Sequence, residues 1–412
     1  MKYGLIAERV GHSFSAEIHK ELFGYDYELK AIAKENVDPF MKQRDFTAIN
    51  VTVPYKETVI PYLNYVDQKA KEIGAVNTIV NRDGKLYGYN TDYEGLRALI
   101  KRENIDLKDK KVLILGSGGT SKTAYHVARS LECREALRVS RSEKDGCITY
   151  EKALNDHSDA EIIINTTPVG MFPKIDESAI DINFFPNLNA VVDVVYNPLR
   201  SKLVSNALNK GIKAIGGLYM LVAQAAFAAE KFVGLSVPDA RIEEIYQKIL
   251  ASKQNIVLVG MPGCGKSTVG KIVASELGFE FIDTDEAIIK ATGNTPAQII
   301  TESGEKSFRD VEASVISDIS SKQGKVIATG GGAVLRKENV DSLKYNGRIY
   351  FLDRNIEDIK PTDDRPLSKD FESLKKLYNE RYEIYLSVCD KQIQCVDEIK
   401  ANVNAIIKDV KL

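Results

Sequence analysis

The chain has few of the residues that build metal centres and covalent staples. Its 412 residues include five cysteines and four histidines. The cysteines, Cys133, Cys147, Cys264, Cys389 and Cys395, are scattered with no C-x-x-C pair, which reads as reduced thiols in a cytoplasmic protein. The histidines form no close ligand set with them, so a zinc site is not expected. Neither sign of charge is in excess: 56 Lys and Arg against 58 Asp and Glu leave a net −2. With no dense basic run, a nucleic-acid partner is not expected either. No apolar run approaches the roughly 18 residues of a membrane span. The longest candidate, Leu218 to Ala229, is interrupted by Gln224. The first apolar run reaches Glu8 and Arg9 too soon for a signal-peptide core, so neither membrane attachment nor secretion is expected. What the chain does have is length. At roughly 150 residues per domain it can hold two or three domains, each with its own core.

The most informative stretch begins at Ile256-Val257-Leu258-Val259, four apolar residues that predict a buried strand, and runs into Gly260-Met-Pro-Gly263-Cys264-Gly265-Lys266-Ser267-Thr268. This is the G-x-x-x-x-G-K-[ST] pattern in a strand–loop–helix setting. Its glycines let Gly263, Cys264, Gly265 and the residues after them turn backbone N–H groups onto phosphates at a helix N-terminus. Lys266 is placed to reach the outer phosphates and Ser267 to hold Mg²⁺. Such a motif at residue 260 follows enough chain for another enzyme.

A second nucleotide site is expected upstream. The strand Lys111–Leu115 leads into Gly116-Ser-Gly118-Gly119-Thr120-Ser121 and an apolar-periodic helix. Alone, this loop reads equally well as a plain glycine turn. About twenty residues on, where an NAD site carries an acid for the ribose hydroxyl, the chain has Arg138-Val-Ser140-Arg141-Ser142. A carboxylate there would repel a 2′-phosphate, whereas arginine with flanking hydroxyls would bind it, so NADP is favoured over NAD.

Polar groups also collect where apolar stretches end. Gly11-His12-Ser13-Phe14-Ser15 puts two hydroxyls on one side of an extended loop, though two turn serines would look the same. Asn50 to Lys56, Gly74 to Thr78 and Gly88 to Asp92 each finish with compact hydrogen-bonding groups. Open α/β sheets put ligands at such ends, and this supply of Ser, Thr, Asn and Asp suits a polyhydroxylated substrate.

Across residues 1–250 the sequence resembles shikimate dehydrogenase. The matching blocks run in family order: Gly11 to Ser15 with His19, Asn50 to Lys56, Gly74 to Thr78, Asn90-Thr91-Asp92, the Gly116 loop, Asn165 to Met171, Asp193 to Pro198, and Gly217 to Gln224. The resemblance implies that Lys56 and Asp92 are the catalytic pair. It implies that Ser13, Ser15, Thr52, Asn77, Asp92, Tyr196 and Gln224 hold shikimate. NADP(H) would lie against Gly116, Gly118, Gly119, Ser140, Arg141 and Gly217, with Met171 by the nicotinamide. Ala16 replaces the usual proline, Phe232 a frequent tryptophan and Ser140 a common asparagine. A second arginine after Arg141 is missing, and Lys144 stands nearby. The chemistry suits the pair. Hydride transfer to a ketone leaves negative charge on oxygen, which a lysine can protonate while a carboxylate orients the amine. Taken singly, Lys56 would read as a solvated surface lysine, and His12 and His19 as ordinary histidines rather than bases or ligands.

Residues 254–412 resemble shikimate kinase. Phe281 to Asp285 is read as a strand ending in two acids that point the same way. By resemblance, Asp283 joins Ser267 in the Mg²⁺ environment, and Asp285 meets the accepting hydroxyl as orienting group or base. Arg309 and Arg381 suit a carboxylate, and Gly331 and Gly332 let backbone N–H groups approach it. Glu380, Arg381 and Tyr385 match the last substrate-binding helix. Arg365, in the lid block Asp364-Arg-Pro-Leu367, would contact ATP and stabilise charge on the transferring phosphoryl group. The expected extra arginine before it is absent, and Lys360 is the nearby cation.

The expected fold class is α/β in three parts. Residues 1–105, completed by helices in 216–250, form a substrate domain; 106–215 form a Rossmann NADP-binding domain; and 254–412 form a P-loop kinase with a parallel sheet flanked by helices. A linker is expected around Ala251 to Asn255. The expected function is bifunctional, with 3-dehydroshikimate reduced by NADPH and shikimate then phosphorylated by ATP and Mg²⁺ to shikimate 3-phosphate, toward chorismate and aromatic amino acids. The small-molecule substrates are the only partners expected, and oligomeric state is left open. Two other readings stand beside it: a shifted specificity toward quinate or NAD, and a nucleotide-binding sensor without turnover.

Overall fold

The computed structural model describes residues 1–11, 13–359 and 370–410. The chain divides into two compact units, Met1–Ile249 and Leu250–Leu412. His12, Lys360 and Arg365 lie outside the described residues.

The first unit contains two sheets. In one, the strands run in the order Glu28–Ala31, Tyr3–Ala7, Ala48–Val51, Thr78–Arg82, Lys85–Tyr89 and Tyr65–Val66. Tyr3–Ala7 pairs in parallel with both neighbours, whereas Thr78–Arg82 is antiparallel to Ala48–Val51 and Lys85–Tyr89. Ile6, Val51, Ile49 and Ile79 are buried in its core; each such side chain stabilises the fold by about 1.5–3 kcal/mol relative to exposure. The other sheet is wholly parallel, ordered Lys213–Ile215, Ala190–Asp193, Ile162–Asn165, Lys111–Leu115, Glu135–Ser140 and Cys147–Thr149. The strand order reverses between Lys111–Leu115 and Ile162–Asn165, the crevice where sheets of this kind take ligands. Helix Leu218–Val233 packs on helices Thr91–Arg102 and Ser15–Phe23 of the first sheet's region.

The second unit holds a five-stranded parallel sheet, ordered Glu280–Asp283, Lys325–Ala328, Asn255–Val259, Gly347–Asp353 and Lys391–Gln394. Ile256 to Val259 are buried, as expected of a central strand covered on both faces.

Two expectations are corrected. Ala251 to Lys253 are the end of helix Asp239–Lys253, and the strand Asn255–Val259 follows at once, so no extended five-residue linker exists. The helix persists because Ile242, Ile245 and Ile249 form a buried stripe at helical spacing. The strand after Phe281 stops at Asp283, not Asp285. Asp283 caps helix Thr284–Thr292 by accepting from Asp285 N at 3.0 Å, and Asp285 is already in the helix's first turn. A short acid that can satisfy orphan helix donors wins over continued strand. Among the described residues, no helix is long and apolar enough to cross a membrane.

Candidate active sites

In the first unit, Lys56 and Asp92 meet. Lys56 follows the end of strand Ala48–Val51, and its carbonyl accepts from Val76 N at 2.8 Å, which anchors the segment. Asp92 sits in the first turn of helix Thr91–Arg102, whose N-cap is Asn90. Its carboxylate therefore lies at the positive end of a helix. Lys56 Nζ donates to Asp92 Oδ2 at 2.5 Å and to Thr120 Oγ1 at 3.2 Å. Both members of the pair are buried.

The other polar residues named from the sequence make local contacts of their own. Asn77 Oδ1 accepts from Thr91 N at 2.7 Å, and its amide donates to Thr91 Oγ1 at 3.1 Å. Ser13 Oγ donates to Ser15 Oγ at 3.0 Å, but the segment is not the extended loop expected: Phe14 has helical φ/ψ and Ser15 begins helix Ser15–Phe23. Phe14, between them, packs on Tyr196 with ring centroids 5.2 Å apart. Thr52 N donates to Ile6 O at 3.1 Å, and Gln224 Nε2 to Leu221 O at 2.8 Å. His19 is a core residue: it stacks on Tyr27 at 4.0 Å and bonds Tyr25 Oη at 2.6 Å, and burial pushes its pKa down to about 3.

The glycine loop lies at the crevice of the parallel sheet. Gly116 has φ +126°, and a Cβ there would sit 2.5 Å from Thr166 Oγ1, so only glycine fits the turn. A Cβ at Gly118 would meet nothing within 4 Å, and helix Gly119–Ser130 begins beside it, an arrangement that fits a dinucleotide phosphate. At the end of strand Glu135–Ser140 the Ser140 hydroxyl closes a local turn by donating to Ser142 O, while Arg141 is exposed. Met171 is exposed too, and Gly217 packs its backbone on Val194. Asn165, Asp193 and Ser201 form a buried network beneath these loops: Asp193 accepts from Asn165 Nδ2 at 2.9 Å, Ser201 Oγ at 2.5 Å and Val195 N at 3.0 Å. Burial pushes the Asp193 carboxyl up to about 6.

In the second unit, helix Lys266–Leu277 starts at the phosphate loop with Gly265 as its N-cap. Gly263 and Thr268 flank this start. Lys266 Nζ donates to the Gly260 and Met261 carbonyls at 2.9 Å each. The Cys264 side chain is buried, with its sulfur 3.9 Å from Lys266 Nζ. Ser267 Oγ donates to Asp283 Oδ2 at 2.7 Å, an oxygen pair of the kind Mg²⁺ takes together with phosphates and water. Around Gly330 to Gly332, four side chains converge. A Cβ at Gly330 would lie 3.0 Å from Asp285 Oδ1 and 3.4 Å from Glu312 Oε1. One at Gly332 would collide with the Arg309 guanidinium, so the arginine lies flat on the backbone. Arg309 Nη1 pairs with buried Glu312 Oε2 at 2.8 Å; burial pushes the Glu312 carboxyl up, against the pull of that arginine. Tyr385 Oη donates to Gly331 O at 2.5 Å, beside buried Arg381, and burial raises its phenol to about 12.

Comparison with known proteins agrees with this division. The family model "Shikimate dehydrogenase substrate binding domain" matches residues 5–79, and "Shikimate kinase" matches residues 262–411. The NADP(+) shikimate dehydrogenase of Clostridium perfringens is 35% identical over 264 residues, covering 60% of this chain and 97% of that protein. The chain belongs to the shikimate dehydrogenase family. The Clostridium beijerinckii member is 38% identical over 245 residues, 55% of this chain and 90% of that protein. Among solved structures, a chorismate mutase/shikimate 5-dehydrogenase fusion from Clostridium acetobutylicum superposes with TM-score 0.56 at 33% identity, over 60% of this chain and 96% of that one. Shikimate 5-dehydrogenase of Thermus thermophilus, solved with NADP(H) and shikimate, has TM-score 0.54 at 29% identity, covering 60% and 99%. With its kinase domain, this shikimate dehydrogenase is a bifunctional enzyme of the shikimate pathway that uses NADP and ATP.

Two residues at these sites escaped sequence reasoning. Thr120 lies in the first turn of the helix after the glycine loop, where the fingerprint assigns its position no role. Glu312 stands three residues after Arg309, and that (i, i+3) spacing of opposite charges on a helix was the available signal.

Proposed function

We propose that Lys56 and Asp92 carry the reduction of 3-dehydroshikimate, and that the Gly330–Gly332 strap with Asp285, Arg309 and Arg381 binds the product for phosphorylation. The observation that carries this reading is the buried 2.5 Å contact between Lys56 and Asp92, set 3.2 Å from a hydroxyl of the glycine-loop helix. Bound NADPH supplies the hydride. Lys56 gives its proton to the oxygen that gains negative charge, and Asp92 orients the amine and accepts from a substrate hydroxyl. Ser13, Ser15, Thr52, Asn77, Tyr196 and Gln224 hold the remaining polar groups of the ring. Arg141 meets the 2′-phosphate, and Met171 lies against the nicotinamide.

In the kinase, bound ATP supplies the phosphoryl group, and Mg²⁺ would be held by Ser267 with Asp283 nearby. Lys266 and the loop N–H groups draw charge from the phosphates. Asp285 orients the accepting hydroxyl, Arg309 and Arg381 grip the substrate carboxylate, and Arg365 steadies the transferring group. The working domains are residues 1–105 with 216–250, residues 106–215, and residues 254–412. The setting is the cytoplasm, in keeping with five free cysteines. A coupled assay tests the whole reading: given dehydroshikimate, NADPH and ATP, the chain oxidises NADPH and then releases ADP. NADPH loss without ADP, with added shikimate also left unphosphorylated, would defeat the kinase half.

A further inference from the structure

Helix Gly119–Ser130 starts at the glycine loop, and three side chains near its start reach the segments that carry the proton-transfer pair. Lys56 Nζ donates to Thr120 Oγ1 at 3.2 Å. Lys122 pairs with Glu57, the residue after Lys56, at 2.9 Å. Asn90, which caps the helix bearing Asp92, donates through Nδ2 to Thr123 Oγ1 at 3.2 Å. The backbone approaches as closely, since a Cβ at Gly119 would lie 3.5 Å from Lys56 Cδ and 3.3 Å from Ala75 Cβ.

An ammonium has three N–H donors and turns about its last carbon–nitrogen bond. With Asp92 as sole acceptor, the other two donors would sweep a cone around that contact. A second acceptor on a different element stops the rotation and gives the third N–H one direction. We propose that Thr120 is a positioning residue for the dehydrogenase reaction. Its hydroxyl aims the third donor of Lys56 at the substrate oxygen and ties that aim to the loop that holds the dinucleotide. Hydride donor and proton donor are thereby registered by one helical turn, and errors of an ångström in such registration are costly. The inference rests on the reading of Lys56 as proton donor.

The test compares Thr120→Val, which keeps shape and loses the acceptor, with Thr120→Ser, which keeps the hydroxyl. In the full chain, Thr120→Val should lower dehydrogenase kcat roughly five- to tenfold, with KM for dehydroshikimate and NADPH changed no more than about twofold. Thr120→Ser should stay close to wild type. Phosphorylation of added shikimate by the same preparations should be unchanged, reporting an intact chain. An unaltered kcat in Thr120→Val, a loss confined to KM, or an equal loss in Thr120→Ser would each overturn the proposal. Lys56→Met separates the two readings. If it retains activity, the proton-donor assignment fails; if it is inactive while Thr120→Val is not, only the role of Thr120 falls.

Discussion

The hydroxyl of Tyr385 donates to the carbonyl of Gly331 across 2.5 Å and so pins helix Phe371–Val388 to the glycine strap. Arg381, a turn earlier on the same helix, is buried beside Tyr385. Tyr385→Phe keeps the ring that stacks on Phe351 at 5.0 Å and removes only the bond. A lost hydrogen bond of about 1 kcal/mol corresponds to roughly a fivefold rise in KM for shikimate. KM for ATP should barely move. Initial kinase rates with each substrate varied will decide, and an equal rise for ATP would contradict a role in holding shikimate.

The two activities should be separable by single lysines. Lys56→Met removes the proposed general acid and should cut shikimate formation by about 10²-fold or more. Phosphorylation of added shikimate should persist. Lys266→Met should do the reverse, because its amine sits inside the phosphate loop against Gly260 and Met261. Separate assays of NADPH oxidation and ADP release check both arms.

The role proposed for Arg141 is the choice of dinucleotide. It is exposed just after strand Glu135–Ser140, and Ser140 is already engaged in its own turn, so the guanidinium is the group proposed for a 2′-phosphate. Arg141→Asp should raise KM for NADPH roughly tenfold or more, in line with loss of a charge-assisted bond. KM for NADH should change far less. Equal losses with both cofactors would remove Arg141 from the discrimination.

Asp193 makes the first unit's stability depend on pH in a defined sense. Its carboxyl is pushed from an ordinary 3.8 up to about 6 by burial, so between those values the folded state keeps a proton that the unfolded chain has lost. The contribution of this group to stability therefore falls as pH rises through that window and levels off above it. Asp193→Asn lacks the slope. Relative to wild type, the variant should gain stability as pH rises from about 4 to 6, by no more than about 3 kcal/mol. The chain has no tryptophan, so circular dichroism during thermal unfolding is the suitable probe. A difference that is constant with pH would show that Asp193 does not titrate in that window.

Local pattern made much of this legible. Four apolar residues before Gly260 and four before Gly116 appear as central strands because fully covered parallel strands need continuous apolar runs. Both glycine loops follow from backbone demands that few other residues meet. Elsewhere local signals compete. The acids at 283 and 285 alternate as strand residues would, but Asp283 found helix donors to cap, and Ala251 to Lys253 continued a helix where a linker was expected.

The sequence by itself determined which groups are available: two glycine loops, a lysine, the acids and the arginines. These are properties of residue type and short spacing. Only the tertiary structure decided which of them meet. Lys56 and Asp92 stand 36 residues apart, and Lys56 and Thr120 stand 64 apart. Their contacts depend on strand order and on a helix docking at the end of another strand. Those are long-range packing outcomes, set by which apolar faces bury against which, and no local spacing encodes them.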